Sequence, residues 1–70
     1  MKLWDVVVEL GLISAGGEYR RLIHNNGIKV NNEIIKNENF IVPEGTHVIN
    51  VGKSKCKTIH LANGKVRLIK

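Results

Sequence analysis

The spacing of apolar residues changes twice between residues 14 and 35, and these changes organise the chain. Tyr19, Leu22, Ile23 and Asn26 fall at i, i+3, i+4 and i+7, which predicts a helix with one buried stripe. Arg20, Arg21 and His24 lie off that stripe and point sideways or outward. Ser14 or Ala15 precedes this helix as N-cap, and only Ser14 offers a side-chain oxygen for the role. Gly27 stands where a helix ending near Asn25 or Asn26 favours a left-handed residue. Ile28, Lys29 and Val30 then alternate as a strand with Lys29 outward. Asn31-Asn32 suits a type I′ turn, and residues 33–35 return as the second strand of a hairpin.

The flanking segments fit around this unit. In residues 2–10 (KLWDVVVEL), Leu3, Val7 and Leu10 share one face with Val6 beside them, and Gly11 supplies a helix stop. Three consecutive valines are poor helix formers, so the glycine stop decides for helix over strand. Trp4 and Val8 form a second stripe, suited to an edge of the core or a partner domain. Residues 36–39 read as a polar loop, residues 40–42 as a short extended piece, and Pro43-Glu44-Gly45 as a turn. In the strand over residues 46–51, Val48 and Ile49 compete for the inner side. After a turn at residues 52–54, residues 55–61 form another strand. Asn63-Gly64 closes a hairpin that pairs Leu61 with Val66 and Ile59 with Leu68. Together these elements predict an α+β fold, with two short helices packed on a small, mostly antiparallel sheet and an extra C-terminal hairpin.

Seventy residues suffice for one domain with a modest core and leave little room for a catalytic cleft as well. Eleven Lys and Arg against six Asp and Glu give a net charge of +5, which favours a polyanionic partner or an anionic membrane surface. The single cysteine, Cys56, excludes an internal disulfide and reads as a small buried residue. No stretch approaches a membrane span, so no membrane partner is expected, and the expected location is the cytoplasm or an organelle matrix.

Catalytic patterns are absent. The carboxylates are scattered, and neither GxGxxG nor GxxxxGK[ST] occurs. Cys56 and His60 share a strand face but are separated by about 13 Å, too far for one zinc ion. No metal and no cofactor are expected for this domain. The basic residues carry more information. Arg20, Arg21 and His24 on the second helix, Lys29 on the first strand, and Lys53, Lys55 and Lys57 around the third turn are expected to converge on one side of the molecule. The first-turn amides of Gly16 and Gly17 are open to a phosphate oxygen at the positive end of the helix dipole, or else form a flexible lead-in turn. Arg20 alternatively pairs with Asp5, Glu9 or Glu18, and Asn31 alternatively serves only as a turn former.

ELGLIS (residues 9–14), EYRRLI (18–23), GIKVNNE (27–33) and VGK (51–53) occur in an order and spacing that resembles the S-four RNA-binding domain. The stretch resembles in particular the C-terminal copy found in bacterial and organellar tyrosyl-tRNA synthetases. The resemblance covers residues 2–57 and leaves residues 58–70 as an added hairpin within a single domain, 1–70. It implies a non-catalytic domain whose second helix and hairpin grip RNA, most like a clamp on tyrosine-specific tRNA. ATP and magnesium would then belong to a catalytic domain of the parent ligase. Arg20, Arg21, Lys29, Asn31 and Lys53 match motif positions, whereas His24, Lys55 and Lys57 are added by geometry. Two other readings stand beside this one. The first is a free-standing protein on ribosomal RNA or peptidyl-tRNA. The second is a protein-interaction module using Trp4, Val8 and the last hairpin as an apolar docking face.

Overall fold

A computed structural model describes residues 1–52 and 54–69. Its elements are α1 (Leu3–Glu9), α2 (Gly16–His24), β1 (Ile28–Val30), β2 (Glu33–Ile34), β3 (Gly45–Val51), β4 (Lys55–Ala62) and β5 (Lys65–Ile69). The strands form one sheet in the order β2-β1-β3-β4-β5, and every neighbouring pair is antiparallel. This is the α+β architecture that the sequence predicts.

Strand periodicity divides the sheet into an inner side and an outer side. Ile28 and Val30 of β1, Ile49 and Val51 of β3, and Ile59 and Leu61 of β4 all point inward. There they share one buried cluster with Leu3, Val6 and Val7 of α1 and with Tyr19 and Ile23 of α2. Of the two candidates in β3, Ile49 takes the core position and is fully buried, while Val48 is half-buried on the outer side. The Asn63-Gly64 hairpin has the predicted register, with Leu61 opposite Val66 and Ile59 opposite Leu68. Asn63 and Gly64 have φ of 54° and 71°, and Asn31 and Asn32 have φ of 54° and 69°, as type I′ turns require. Among the described residues, no helix is long and apolar enough to cross a membrane.

Both helices end in the same hydrogen-bond pattern. In α1 the amide of Gly11, at φ 73°, donates to the Val8 carbonyl at 3.0 Å. The Leu12 amide donates to Val7 at 3.0 Å, which completes a Schellman cap. This stop keeps the three valines helical and turns buried Leu12 back onto the core. In α2 the left-handed position falls one residue earlier than expected. Asn26, not Gly27, has φ 58°, and Asn26 is exposed rather than part of the buried stripe. Gly27 instead occupies the next position, where its amide donates to the Leu22 carbonyl at 2.7 Å. A Cβ there would lie 2.7 Å from Leu22 Cδ2 and 3.2 Å from the Leu22 carbonyl oxygen. Close approach, not backbone conformation, therefore requires glycine at this position.

One alternative is decided and two further expectations are corrected. The N-cap of α2 is Ala15 and makes no side-chain cap bond, so Ser14 does not serve. Leu10 is only half-buried, because the seven-residue α1 ends before it and Val6 takes its place in the core. Cys56 is exposed, since it alternates with Lys55 and Lys57 onto the outer side, where its thiol lies 3.5 Å from Asn50 Oδ1.

Tyr19 links α2 to the polar loop. Its ring packs against Trp4 with centroids 5.1 Å apart, and its hydroxyl donates to the Glu38 carbonyl at 2.8 Å. Burial, and secondarily the Glu38 carboxylate, push the Tyr19 phenol above its ordinary value of 10.0. The folded state thus binds this proton more tightly than the unfolded chain. The stability it contributes is complete below about pH 10 and is lost as pH rises through the folded value. Tyr19 is the only tyrosine, so absorbance at 295 nm should place its ionisation above that of the urea-unfolded chain. The stability lost between pH 9 and 11 should be larger than in Tyr19→Phe. Gly27→Ala should cost about 1–3 kcal/mol through overpacking against Leu22. In urea denaturation this would appear as a lower midpoint with an unchanged slope.

Candidate nucleic-acid interface

Burial of Tyr19 and Ile23 turns Arg20, Arg21 and His24 to solvent along α2. Arg21 and His24 occupy the last turn, where positive charge complements the helix dipole. The Glu38 carboxylate bridges the other side of the helix, with Oε1 3.6 Å from Arg20 Nε and Oε2 3.8 Å from His24 Nε2. Arg20 is therefore paired, but with the loop residue Glu38 rather than with Asp5, Glu9 or Glu18. Local spacing gave no sign of this contact, which depends on Tyr19 holding the loop against α2. With Arg20 and His24 both 68% exposed, the attraction is weak and leaves both groups free to exchange Glu38 for another anion. Among the described residues, Arg21 makes no ion pair.

A groove of about 490 Å³ opens where α2 ends against the sheet. It is lined by Leu22, Asn25, Asn26, Gly27, Lys29, Asn50 and Gly52. Lys29 and Asn50 are cross-strand partners on the outer side of β1 and β3, so a cation and an amide stand together on one wall. Asn25, Asn26 and Asn50 are not among the site residues that the sequence suggests. Asn50 becomes recognisable only once β1 and β3 are paired in register. On the other side of Leu22 and Gly52 lies a smaller hollow of about 150 Å³, with Glu18, Ser54 and Lys55 on its rim.

The remaining candidates separate. Lys55 and Lys57 share the inner side of β4 with Ile59 and Leu61, opposite in facing to Lys29. The Lys55 ammonium donates to the Leu12 carbonyl at 3.2 Å, so part of its hydrogen-bonding capacity is spent within the fold. Lys29 and Lys55 thus flank the β3–β4 turn from opposite sides of the sheet, and the cations do not gather on one face. Gly16 and Gly17 form the exposed first turn of α2, with open space around both, and Gly16 shares a hollow with Lys2, Trp4 and Arg20. Lys53 lies outside the described residues. Among the described residues, no three His, Cys, Asp or Glu side chains gather as a metal site.

Asn31 is committed to the fold. Its Oδ1 accepts from the Val48 amide at 2.9 Å, its Nδ2 lies 3.0 Å from His47 Nδ1, and its own amide donates to the Val48 carbonyl at 2.8 Å. His47 Nε2 in turn reaches the Pro43 carbonyl at 2.8 Å, which extends the clamp to the loop before β3. Asn31→Gly keeps the left-handed turn and removes the amide. It should cost about 1 kcal/mol of stability, read by thermal or urea unfolding, and leave RNA affinity within twofold.

Comparison with known proteins identifies the family of this fold. The family model of the S4 (S-four) domain matches residues 1–48. Among curated proteins, the tyrosine–tRNA ligase of Helicobacter pylori is 33% identical over 57 residues, covering 81% of this chain and 14% of that protein. The tyrosine–tRNA ligase of Thermotoga maritima is 38% identical over 52 residues, covering 73% of the chain and 13% of the relative. That of Pelagibacter ubique is 36% identical over 70 residues, which is all of this chain and 15% of the relative. The chain therefore spans about a seventh of the length of the relatives it matches. No solved structure gives a significant match. The helices, the first hairpin and the start of β3 fall within the matched residues, and the chain belongs to the S4 domain family of RNA-binding domains.

Proposed function

We propose that this chain is a tRNA-binding domain of a tyrosine–tRNA ligase and holds its tRNA by the phosphate backbone. The observation that carries the reading is the groove at the end of α2, where Lys29 and Asn50 form one wall and Asn25 and Asn26 lie close by. Its family membership and the names of its relatives support tRNA over other RNAs. Arg21 in the last turn of α2, without an ion pair among the described residues, and Lys29 in the groove supply cations to phosphate oxygens. The amide side chains donate to oxygens of the sugar and phosphate. With only three aromatic residues, two of them packed together as Trp4 and Tyr19, base stacking is not the mode. Recognition is by backbone charge and by the shape of a folded RNA.

In this reading the domain adds affinity and orientation, and tyrosine activation with ATP and magnesium belongs to a separate catalytic domain in the cytoplasm. Titration of tyrosine-specific tRNA into the chain, followed by fluorescence anisotropy, tests it. Arg21→Ala with Lys29→Ala should weaken binding at least tenfold and make the slope of log K against log salt shallower by about 2. Arg20→Ala should have the smaller effect, because Arg20 is already paired with Glu38. Undiminished affinity in the double variant would overturn the assignment.

A further inference from the structure

The outer side of the C-terminal hairpin carries a second concentration of positive charge, beyond the residues that the family model matches and far from the α2 groove. His60 of β4 is the cross-strand partner of Arg67 of β5, and Ala62 is the partner of Lys65. The periodicity that turns Ile59 and Leu61 inward therefore presents His60, Lys65 and Arg67 together on the opposite side. They line an open hollow of about 370 Å³ with Ala62 and Asn63. His60 is not a free rotor. Thr46, its partner on β3, places Oγ1 3.0 Å from His60 Nδ1 and so leaves Nε2 as the nitrogen open to a ligand. Among the described residues, neither Lys65 nor Arg67 forms an ion pair. The carboxylate that reaches this hairpin, Glu44, accepts the Asn63 backbone amide at 2.9 Å. No strand residue on the outer side is Asp or Glu, because Glu33 pairs with Val30 and shares its inward facing.

The same outer side carries Lys29. From the Lys29–Asn50 pair to the Thr46–His60–Arg67 row is about 13 Å along the strands, and from β1 to β5 is about 14 Å across them. The intervening surface is uncharged, with Val48, Thr58 and Ile69 in the row between. An open sheet face bearing cations at opposite corners and none of the opposing charge suits a ligand with phosphates at several points along its length. A lone small anion would use one corner only.

We propose that the outer side of the β4–β5 hairpin, where His60, Lys65 and Arg67 converge, is a second phosphate site. It grips RNA backbone across the sheet from the Lys29 groove. The assignment of RNA as its ligand rests on the function proposed above. Arg67 and Lys65 neutralise backbone charge, and His60 Nε2 donates a hydrogen bond when it carries the proton. The domain then holds its RNA at both ends of one sheet face, and the C-terminal hairpin is part of the binding surface rather than an appendage to it.

The test uses the full chain in two arms. In the first, Lys65→Ser with Arg67→Ser is titrated with the same tRNA. Binding should weaken about tenfold, and the salt slope should become shallower by about 2. A charge-matched comparison sets the single variant Arg67→Ser against Lys36→Ser, which removes one cation from the polar loop and should change affinity less than twofold. In the second arm, inorganic pyrophosphate is titrated while the His60 imidazole and Arg67 guanidinium resonances are followed by NMR. Both should shift in the unmodified chain, and the His60 shift should vanish in the double variant. Equal weakening by Arg67→Ser and Lys36→Ser would overturn the proposal, as would unmoved His60 and Arg67 signals. Pyrophosphate shifts without tRNA binding by any form of the chain would uphold the phosphate site and reject the tRNA reading on which its ligand rests.

Discussion

Gly27 is the joint on which the groove beside α2 depends. Its amide closes the cap of α2 on Leu22 at 2.7 Å, and its carbonyl accepts the Gly52 amide at 2.7 Å. Helix α2, strand β1 and the β3–β4 turn are thereby held at one point, and a Cβ on Gly27 would press on Leu22 of α2. The groove containing Lys29 and Asn50 opens beside this joint, so its shape follows from two backbone hydrogen bonds rather than from flexible side chains. A surface that must fit a folded polyanion benefits from such rigidity, because less conformational freedom is lost on binding.

Charge is spread around this frame in separate groups. Arg20 and His24 share Glu38 on one side of α2, Lys55 is bonded to the end of the α1 cap, and Lys29, His60, Lys65 and Arg67 occupy the outer side of the sheet. In a domain this small, strand alternation places Lys29 and Lys55 on opposite sides of a single sheet. A ligand that touches several of these groups must be extended or must wrap. An RNA stem with its two backbones meets that requirement better than a compact anion.

Much of the fold was legible in the chain. Both helices, both type I′ turns and the register of the last hairpin follow from periodicity and from the special backbone freedom of Asn and Gly, which are local properties. The left-handed position of α2 was misplaced by one residue because Asn-Asn-Gly offers adjacent residues suited to it. Only the close packing against Leu22 assigns Asn26 to the left-handed position and Gly27 to the tight one. Free cysteine usually favours burial, yet the alternation set by Ile59 and Leu61 turns Cys56 outward.

The sequence by itself determined which residues are charged, which elements carry them and which hairpins form, since each of these depends on neighbours within a few positions. Tertiary structure alone decided where those charges stand relative to one another. Glu38 reaches Arg20 across 18 positions, Lys55 reaches Leu12 across 43, and Thr46 orients His60 across a strand pair. These contacts require the core to have formed first, because only the burial of Ile49, Ile59 and Leu61 against both helices fixes which side of each strand faces water.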